Sequence, residues 1–321
     1  MKRLLLLSIC VVLSAVACGG NGKDDGPIPL PKPKTDELVD PWNDPKAPAN
    51  PKYLCNGKIQ IGMDMDRGGA IFHFSEAGSK KNLLNRFDEG RFIQQSYYGD
   101  ADGSSWNGQS WNWNPVQGGC WDSSVKGRVL ACTEEGKGLR IKSVPVLWSG
   151  CKEAEDCVLQ EVITLNGPMA KIKFSLSYFG SMNNKARHQE LPAVFLDWDL
   201  KTFVYYGGNQ PWTDDPNLVE YVPADRMITN ANETAKYTEG WAAYIGDDGK
   251  GLGVYSPASD MCVLYRYGSG PGGSDAPSCS YFAPVKTMAI TAGMNFSYDV
   301  YITYGTVEEI RARFKAVKAQ P

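Results

Sequence analysis

The sequence predicts an all-β protein, a large antiparallel β-sandwich with one short helix at its C-terminal end. Three observations lead to this fold class. Apolar and polar residues alternate with a period of two in several segments, as they do in strands that bury one face. Glycine-containing turn signals recur about every ten residues, which is typical of sandwiches and barrels. Helical periodicity is convincing only at residues 307–317, after the last expected strand.

Each predicted element follows from the local pattern of its segment. In residues 171–178, apolar side chains alternate with lysines and serines, which gives the strand one apolar and one polar face. Residues 247–251 contain the Asp-Gly pair of a tight hairpin turn, where glycine adopts a positive φ at little cost. The strands expected on these grounds are residues 69–74, 139–146, 158–165, 171–178, 241–245, 252–255 and 296–304.

The N-terminal residues predict export. A basic start at Lys2 and Arg3 precedes an apolar run far shorter than the ~20 residues needed to span a bilayer. Small residues then precede Cys18, so residues 1–17 resemble a bacterial lipoprotein signal peptide. That resemblance implies that Cys18 is lipidated and becomes the first mature residue. The alternative is an ordinary signal peptide cut near Ala17, with Cys18 left as a thiol.

Residues 18–52 predict an extended tether, and residues 53–321 predict a single β-sandwich domain. The tether is rich in proline, glycine and aspartate, so it cannot bury enough apolar area to fold. Residues 23–25, Lys-Asp-Asp, resemble the acidic surface-export signal of some Bacteroidetes lipoproteins. We therefore expect an outer-membrane lipoprotein of the bacterial cell envelope, with a cell-surface position as the further expectation.

The charge balance limits the partners. The chain has 33 basic and 36 acidic residues, and removing Lys2 and Arg3 with the signal leaves 31 against 36, a net charge of −5. A mildly acidic protein of this kind is not expected to bind nucleic acid or an anionic membrane surface. Membrane contact is expected through the lipid anchor only, and the protein is expected to be a monomer.

Seven cysteines remain when Cys10 in the signal and Cys18 at the anchor are set aside from the nine in the chain. In an oxidising compartment, neighbours in sequence are the expected disulfide partners, although connectivity cannot be proved from sequence. Cys55 would then be the unpaired residue. The expected pairs are Cys120–Cys132, Cys151–Cys157 and Cys262–Cys279.

No spacing of cysteines and histidines resembles a zinc site, so neither a metal centre nor a cofactor is expected. Calcium is the one ion kept open. Two short acidic segments, residues 64–66 and 100–103, offer carboxylates, but neither has the full ligand set of a defined calcium loop.

Four polar and aromatic clusters interrupt the strand pattern. The first covers residues 88–98, and an extended conformation would place Arg91 and Tyr97 on one face and Gln94 and Tyr98 on the other. Polar groups on both faces are poorly explained by core packing alone. The candidate site residues of this cluster are Asp88, Arg91, Gln94 and Tyr98.

The second cluster, residues 106–119, alternates tryptophan with asparagine in a glycine-containing loop. Indole faces stack on the C–H face of a pyranose and amides hydrogen-bond its hydroxyls, so the pattern favours sugar binding. The alternative is a loop that buries its tryptophans in the rim of the sandwich. The candidate binding residues are Trp106, Trp111, Trp113, Asn114 and Gln117.

The third cluster, residues 187–199, is the densest acid–base group in the chain. An extended conformation would place His188 and Glu190 on one face and Asp197 and Asp199 on the other. A glutamate between apolar neighbours can have the raised pKa that a general acid needs. The alternative is a buried pair of Arg187 and Glu190 that braces the sheet.

The fourth cluster, residues 205–216, is expected to form a loop at the rim of the site, with Trp212 as a candidate binding residue. His73 lies in the apolar strand of residues 69–74. A histidine in that setting is more often a hydrogen-bonded structural residue than a catalytic one, and we predict a structural role.

Several segments together resemble a group of secreted bacterial proteins of the galactose mutarotase-like β-supersandwich. They span most of the chain from about residue 57 to 310 and comprise residues 68–71, 82–85, 90–98, 113–119, 189–194 and 251–255. The resemblance implies a saccharide groove on a concave sheet, lined by His, Arg and carboxylate side chains, as in sugar epimerases, polysaccharide lyases and glycoside hydrolases. A lipid anchor and only two histidines depart from a mutarotase, so aldose epimerisation is not expected.

These observations favour a glycoside hydrolase acting on an extracellular polysaccharide or oligosaccharide. A lyase would instead use His188 or a tyrosine as base and Arg91 or Arg187, a further candidate binding residue, to neutralise a uronate. The rivals from other classes are a non-catalytic glycan-binding lipoprotein and, less favoured, a structural envelope protein. In the hydrolase, Glu190 would be the general acid or base, and Asp199 or Asp88 would be the second carboxylate. The aromatic residues that would form the sugar subsites are Trp106, Trp111, Trp113 and Tyr98. The residues that would orient sugar hydroxyls are Arg91, Gln94 and His188.

Overall fold

The structure is a computed structural model that describes residue 44, residues 46–270 and residues 272–320. The predicted signal peptide, the lipidation site at Cys18 and most of the tether lie outside the described residues. The first strand begins at Pro51, two positions before the start predicted for the domain. No helix in the part of the chain that the structure describes is both long and apolar enough to cross a membrane.

Strands are the main secondary structure of the described residues, with one short helix between strands and one longer helix after the last strand. The strands are β1 (Pro51–Cys55), β2 (Ile59–Asp64), β3 (Ile71–Glu76), β4 (Ile93–Ser96), β5 (Ala101–Trp106), β6 (Gln109–Asn112), β7 (Pro115–Val116), β8 (Arg128–Glu135), β9 (Gly138–Val144), β10 (Val146–Leu147), β11 (Lys152–Glu153), β12 (Cys157–Asn166), β13 (Met169–Tyr178), β14 (Arg187–Asp197), β15 (Thr202–Tyr206), β16 (Leu218–Tyr221), β17 (Glu233–Ala235), β18 (Trp241–Ile245), β19 (Lys250–Tyr255), β20 (Met261–Tyr267), β21 (Cys279–Met288) and β22 (Asn295–Thr306). The helices are α1 (Arg226–Thr229) and α2 (Val307–Lys318).

Two large antiparallel sheets make up the sandwich. The first, called the cavity sheet here, has the order β1-β2-β3-β4-β14-β21-β20-β17, with β7, β10 and β11 attached beside β4. The second, called the helix sheet, has the order β16-β15-β18-β19-β22-β13-β12-β9-β8. Strands β5 and β6 form a separate hairpin. The all-β fold with a C-terminal helix is therefore confirmed.

The main core lies between the inner faces of the two sheets. Alternation in β13 buries Ile172, Phe174 and Leu176 completely, while Lys171 and Lys173 on the other face are exposed. From the cavity sheet, Ile93 and Leu191 enter the same apolar cluster. The period-two pattern in the sequence therefore marked the strands correctly, because only one face of each strand meets the other sheet.

The outer face of the helix sheet is covered by α2. Ile310 and Phe314 pack on Trp241 and Tyr255 in a second apolar cluster. The helix begins with a capping box, in which the side chains of Thr306 and Glu309 bond reciprocally to backbone N–H groups. This leaves the outer face of the cavity sheet as the face that α2 does not cover.

None of the three predicted disulfides is present among the described residues, whose seven cysteines are all free. Cys262 faces Pro284 and Cys279 faces Tyr267, so these two cysteines lie at opposite ends of the β20–β21 pair. Cys157 is buried at the start of β12, where its thiol points to the carbonyl of Ala154 at 3.7 Å. The register of β20 and β21 therefore keeps Cys262 apart from Cys279.

Cys120 and Cys132 lie in different elements. Cys132 lies in β8 opposite Ile141. Cys120 lies instead in the loop before β8, and the thiols of Cys120 and Cys151 both donate to the carboxylate of Asp122.

Candidate functional site

A cavity of about 590 Å³ opens on the outer face of the cavity sheet. Its floor is formed by side chains of β4, β14, β20 and β21, and its walls by loops and the β5–β6 hairpin. It gathers most of the residues that the sequence singled out. Those that line it are Asp88, Arg91, Gln94, Tyr98, Trp106, Trp111, Asn114, Arg187, His188 and Glu190.

Strand β4 supplies the floor by alternation. Ile93 and Tyr97 are buried in the main core, whereas Gln94 and Tyr98 line the cavity. The prediction that Arg91 shares a face with Tyr97 is wrong, because Arg91 also lines the cavity. Phe92 has a φ of 75°, in the left-handed region, and this conformation breaks the alternation just before the strand begins.

Strand β14 supplies the acid–base residues. His188 and Glu190 line the cavity, and the register then shifts between Glu190 and Val194 through a bulge. After the bulge, Phe195 is the next large side chain at the floor. A bulge changes which residues face each side, so the alternation that sets His188 and Glu190 does not continue to the end of the strand.

Asp199 is not part of the site, which corrects its prediction as a second carboxylate. It is exposed beyond the end of β14 and does not line the cavity. Its neighbour Asp197 is buried and accepts hydrogen bonds from the backbone N–H groups of Gly273, at 2.8 Å, and Asp199, at 3.1 Å. These bonds tie the end of β14 to the loop before β21 and have a structural role.

Glu190 lies under a pair of tyrosine hydroxyls. Tyr98 donates to its Oε1 at 3.3 Å, and Tyr281 donates to the same oxygen. Burial raises the pKa of the Glu190 carboxyl, and the hydrogen bonds from Ser96, Tyr281 and Tyr98 offset this only in part. The residue is therefore a carboxyl group that retains its proton to a higher pH than an ordinary glutamate.

The tyrosines at the floor remain protonated. Burial and the charge of Glu190 raise the pKa of both Tyr98 and Tyr281 well above that of free tyrosine. Tyr265 stacks on Tyr281, with ring centroids 4.4 Å apart and an interplanar angle of 28°. The sequence reasoning missed Tyr265 and Tyr281, although the alternation of Val263, Tyr265 and Tyr267 along β20 was a usable signal for one aromatic face.

Three arginines line the cavity, and each is held differently. Arg91 Nε lies 3.3 Å from the carboxylate of Asp88, and its Nη2 donates to the carbonyl of Pro277 at 3.0 Å. Arg187 donates to Asp100 at 3.0 Å, while its buried Nε has no hydrogen-bond partner among the described residues.

Arg226, in α1, lies over the ring of Tyr265, at 4.7 Å from its centroid, and was also missed. The sequence around α1 gave no sign of a binding site, because the residues on either side of Arg226 are of types that are common in loops and helices.

The rim is aromatic. Trp106 and Trp111 meet edge to face across the β5–β6 hairpin, with ring centroids 5.3 Å apart, and both are partly exposed. Trp111 Nε1 donates to Oδ1 of Asn114 at 3.4 Å. Trp148 completes this side, and its ring lies so close to Gly90 that an added Cβ would come within 2.4 Å of it. Trp148 was not predicted.

Three predicted binding residues lie elsewhere. Trp113 is buried in the main core, where Nε1 donates to Asp156 at 3.1 Å. Gln117 is also buried, because its amide donates to the carbonyl of Gly68 at 3.0 Å and accepts from the N–H of Gln95 at 3.2 Å. Trp212 packs edge to face on Tyr255, on the side of the helix sheet that α2 covers.

Each of the three has a physical reason for its place. Trp113 and Gln117 point into the core, deeper than the rim in which the alternative interpretation placed the tryptophans. Trp212 is held by its backbone N–H, which donates to the Glu239 carboxylate at 2.7 Å.

The two histidines differ as expected in burial. His188 is exposed at the cavity edge, and its Nδ1 lies 2.8 Å from the hydroxyl of Thr287. His73 is buried beside the Ser75 hydroxyl at 3.0 Å, and burial lowers the pKa of its imidazole to about 4. His73 is thus a neutral, hydrogen-bonded residue, and its predicted structural role is confirmed.

Among the residues that the structure describes, one group of potential metal ligands converges closely enough to hold a metal ion. It consists of Cys120, Asp122 and Cys151, outside the cavity. Of the aspartates considered for calcium, Asp64 is paired with Arg67 and Asp100 with Arg187. Calcium binding stays a prediction.

Neither protein-family models nor curated protein sequences match the chain, whereas solved structures do. A putative aldose 1-epimerase from Escherichia coli K12 aligns with a TM-score of 0.52 at 11% identity, over 80% of this chain and 99% of that chain. A galactose mutarotase-like protein from Lactobacillus casei aligns with a TM-score of 0.53 at 9% identity, over 80% and 100%.

A galactose mutarotase related enzyme from Lactobacillus acidophilus aligns with a TM-score of 0.51 at 10% identity, over 80% of this chain and 98% of that chain. Identities this low establish the fold and not the activity. The chain therefore has the galactose mutarotase-like fold that its sequence motifs predicted.

Proposed function

We propose that this protein is an exported glycoside hydrolase whose cavity binds a segment of an extracellular polysaccharide, with Glu190 as the general acid. The observation that carries the proposal is the state of Glu190. Its carboxyl group faces a cavity of about 590 Å³ and has a raised pKa. A general acid must hold a proton near neutral pH and release it to the leaving oxygen of the substrate.

The lining of the cavity suits a saccharide. Trp106 and Trp111 at the rim and the stacked Tyr265 at the floor provide aromatic faces, on which the C–H faces of sugar rings can stack. The amide of Asn114 and the hydroxyls of the floor tyrosines can pair with sugar hydroxyls. Solved structures of the same fold that carry sugar-enzyme names lend further support.

Asp88 is the second carboxylate of the proposed hydrolase. Among the described residues that line the cavity, Asp88 and Glu190 are the carboxylates. Asp88 is oriented by Arg91 at 3.3 Å and by the N–H of Gly90 at 3.0 Å. Hydrolysis by two carboxylates places one on each side of the scissile bond, where Asp88 would act as base or nucleophile.

A lyase is less well supported than a hydrolase. Its base must lose a proton, and the raised pKa values of Tyr98 and Tyr281 oppose that step. These hydroxyls are better suited to donate hydrogen bonds to Glu190 and to a bound sugar. His188 remains as the base that a lyase would use, at the exposed edge of the cavity.

The second candidate function is non-catalytic glycan binding. It is favoured by the fact that both carboxylates are already engaged, Asp88 by Arg91 and Glu190 by two tyrosines. An aromatic cavity would then hold a glycan for another protein. In either case we propose that residues 1–17 direct export and that lipid on Cys18 anchors the protein in the outer membrane.

The test is a panel of polysaccharides incubated with the wild-type chain, Glu190→Gln and Asp88→Asn. The matched control is Glu220→Gln, because Glu220 is an exposed glutamate in β16 of the other sheet. We expect new reducing ends with the wild type and the control, and a rate lower by roughly 10²-fold or more in Glu190→Gln. The wild-type rate should fall on the alkaline side through a pKa above that of an ordinary glutamate.

Other outcomes distinguish the rivals. Unsaturated, ultraviolet-absorbing products would indicate a lyase. Tight binding to one polysaccharide with no product from any variant would contradict the hydrolase and support the glycan-binding protein.

A further inference from the structure

A second group of reactive side chains lies beside the cavity, where residues 119–125 meet residues 147–151. Cys120 Sγ donates to Oδ1 of Asp122 at 3.1 Å, and Cys151 Sγ donates to the same oxygen at 3.2 Å. The two sulfurs and this oxygen lie within 4.8 Å of one another. None of the pairs expected from sequence order brings two thiols together in this way.

The backbone holds the two cysteines in place. Trp121 N–H donates to the carbonyl of Trp148 at 3.2 Å, which joins the two segments next to Cys120. Cys151 N–H donates to the carbonyl of Leu147 at 3.0 Å and closes the turn that carries Trp148. Main-chain pairing therefore holds the two cysteines next to each other. Rotation about their side-chain bonds then sets the distance between the two sulfur atoms.

We propose that Cys120 and Cys151 form a disulfide bond in the exported protein and that this bond fixes the side of the cavity that Trp148 forms. Neither segment needs to move far, since the Sγ atoms must close from within 4.8 Å to a bond length of about 2 Å. Exported proteins meet an oxidising environment in which such neighbouring thiols pair. The inference does not depend on the activity proposed for the cavity.

The chemistry is thiol–disulfide exchange with a small disulfide such as glutathione disulfide. One cysteine thiolate attacks a sulfur of glutathione disulfide, forms a mixed disulfide and releases one glutathione thiol. The second cysteine thiolate then displaces the other glutathione. Each cysteine loses its thiol proton, one S–S bond forms within the protein, and the small disulfide takes up the two electrons as two thiols.

The bond would act on the cavity through Trp148. The Trp148 ring rests on Gly90, and the backbone N–H of Trp148 donates to the carbonyl of Asn114 at 2.9 Å. Both Gly90 and Asn114 line the cavity. A covalent link three residues after Trp148 would keep this turn from opening and would hold the indole against Gly90.

The experiment counts thiols in the full-length chain carrying Cys10→Ser and Cys18→Ser, so that seven cysteines remain. The protein is reduced, then incubated with glutathione disulfide, and free thiols are titrated after unfolding. We expect the count to fall from seven to five, and we expect a peptide map under non-reducing conditions to link Cys120 to Cys151.

Two variants separate this pair from the others. Cys151→Ser should keep all six of its remaining thiols on oxidation, whereas the matched control Cys132→Ser should fall from six to four. The midpoint of thermal unfolding should rise on oxidation of the wild type and stay constant in Cys151→Ser. Seven thiols after oxidation, a map that links Cys132 or Cys157, or a zinc ion retained by Cys120 and Cys151 that blocks oxidation would each overturn the proposal.

Discussion

At the scale of single residues, two backbone irregularities decide which side chains reach the cavity. The left-handed φ of 75° at Phe92 brings Arg91 to the same side as Gln94. The bulge after Glu190 ends the simple alternation along β14, and Asp199 lies beyond the strand. Alternation predicts the facing of side chains between irregularities, and it fails across them.

Glu190 and Glu161 show that the surroundings of a buried carboxyl group decide whether it can take part in chemistry or only lowers stability. Both have a raised pKa caused by burial. Glu190 faces a cavity and accepts hydrogen bonds from tyrosine hydroxyls. Glu161 lies in β12 on the core side, and neither of its oxygens has a hydrogen-bond partner among the described residues. The first arrangement supports chemistry, and the second lowers stability.

Glu161→Gln should stabilise the fold at alkaline pH. Burial raises the pKa of Glu161 to about 8. The unfolded chain ionises at about pH 4.3, so a group with a raised folded pKa loses stability as pH rises between these two values. The loss levels off above the folded pKa, at a size of about 5 kcal/mol.

Urea unfolding at pH 4 and pH 8 measures this effect. The free energy of unfolding of Glu161→Gln, relative to the wild type, should increase by several kcal/mol between the two pH values. Glu220→Gln, which replaces an exposed glutamate, should show no such change. An identical difference at both pH values would mean that Glu161 is not a buried, neutral acid.

At the scale of elements, α2 is attached to the helix sheet by one buried ion pair as well as by apolar packing. Arg311 contacts the Glu239 carboxylate through Nε at 3.0 Å and Nη2 at 2.7 Å. Trp241 Nε1 donates to the same carboxylate at 2.7 Å. Burial raises the pKa of Glu239, but the hydrogen bonds from Arg311, Trp241 and Trp212 outweigh it, and the pKa is lowered overall.

Glu239→Gln should therefore destabilise the protein by about 3 kcal/mol at neutral pH, because it leaves the guanidinium of Arg311 without its charge partner. A carboxyl group with a lowered folded pKa contributes its stability above the unfolded pKa and loses it as pH falls through the folded one. The difference from the wild type in urea unfolding should accordingly shrink below about pH 4. Restoration of stability by Arg311→Leu in the same chain would support the pair, whereas additive losses would contradict it.

The elements themselves were largely predictable from the sequence. Residues 171–178 and 296–304 were expected as strands and lie within β13 and β22, and residues 307–317 lie within α2. These elements bury one face each, so their patterns are regular. The short β5–β6 hairpin and the four-residue α1 were not predicted, since elements this short bury little and leave no periodic pattern.

At the scale of the whole molecule, the two outer faces of the sandwich have different tasks. The helix sheet is sealed by α2 and by the loop that carries Trp212. The cavity sheet carries the open cavity on its outer face. In the sequence, Trp111 and Trp212 are both aromatic residues in polar loops and were both predicted to bind the ligand. Only the packing of the loops decides which outer face of the sandwich each tryptophan covers.

The same limit applies to the site as a whole. Acid–base and aromatic clusters far apart in the chain were correctly expected to meet, and Asp88, Trp111 and Glu190 do line one cavity. Tyr281 and Arg226 were missed because one lies in an apolar strand and the other in an isolated loop helix. Contacts between strands that are distant in sequence depend on register, which the pattern of a single strand does not contain.

This division of tasks predicts opposite effects for aromatic residues on the two faces. Phe314, fully buried between α2 and the helix sheet, should cost about 3–5 kcal/mol of unfolding free energy when replaced by alanine. Trp111 is partly exposed at the rim, so Trp111→Ala should change stability by less than about 1 kcal/mol. The same variant should weaken binding of the saccharide identified by the panel by roughly tenfold, since a stacking face is lost.

Urea unfolding and calorimetric titration of both variants measure the two quantities. Phe314→Ala should bind the saccharide with wild-type affinity at temperatures where it is folded, because α2 lies on the opposite outer face. Normal affinity in Trp111→Ala, or weakened affinity in folded Phe314→Ala, would show that the cavity on the outer face of the cavity sheet is not where the saccharide binds.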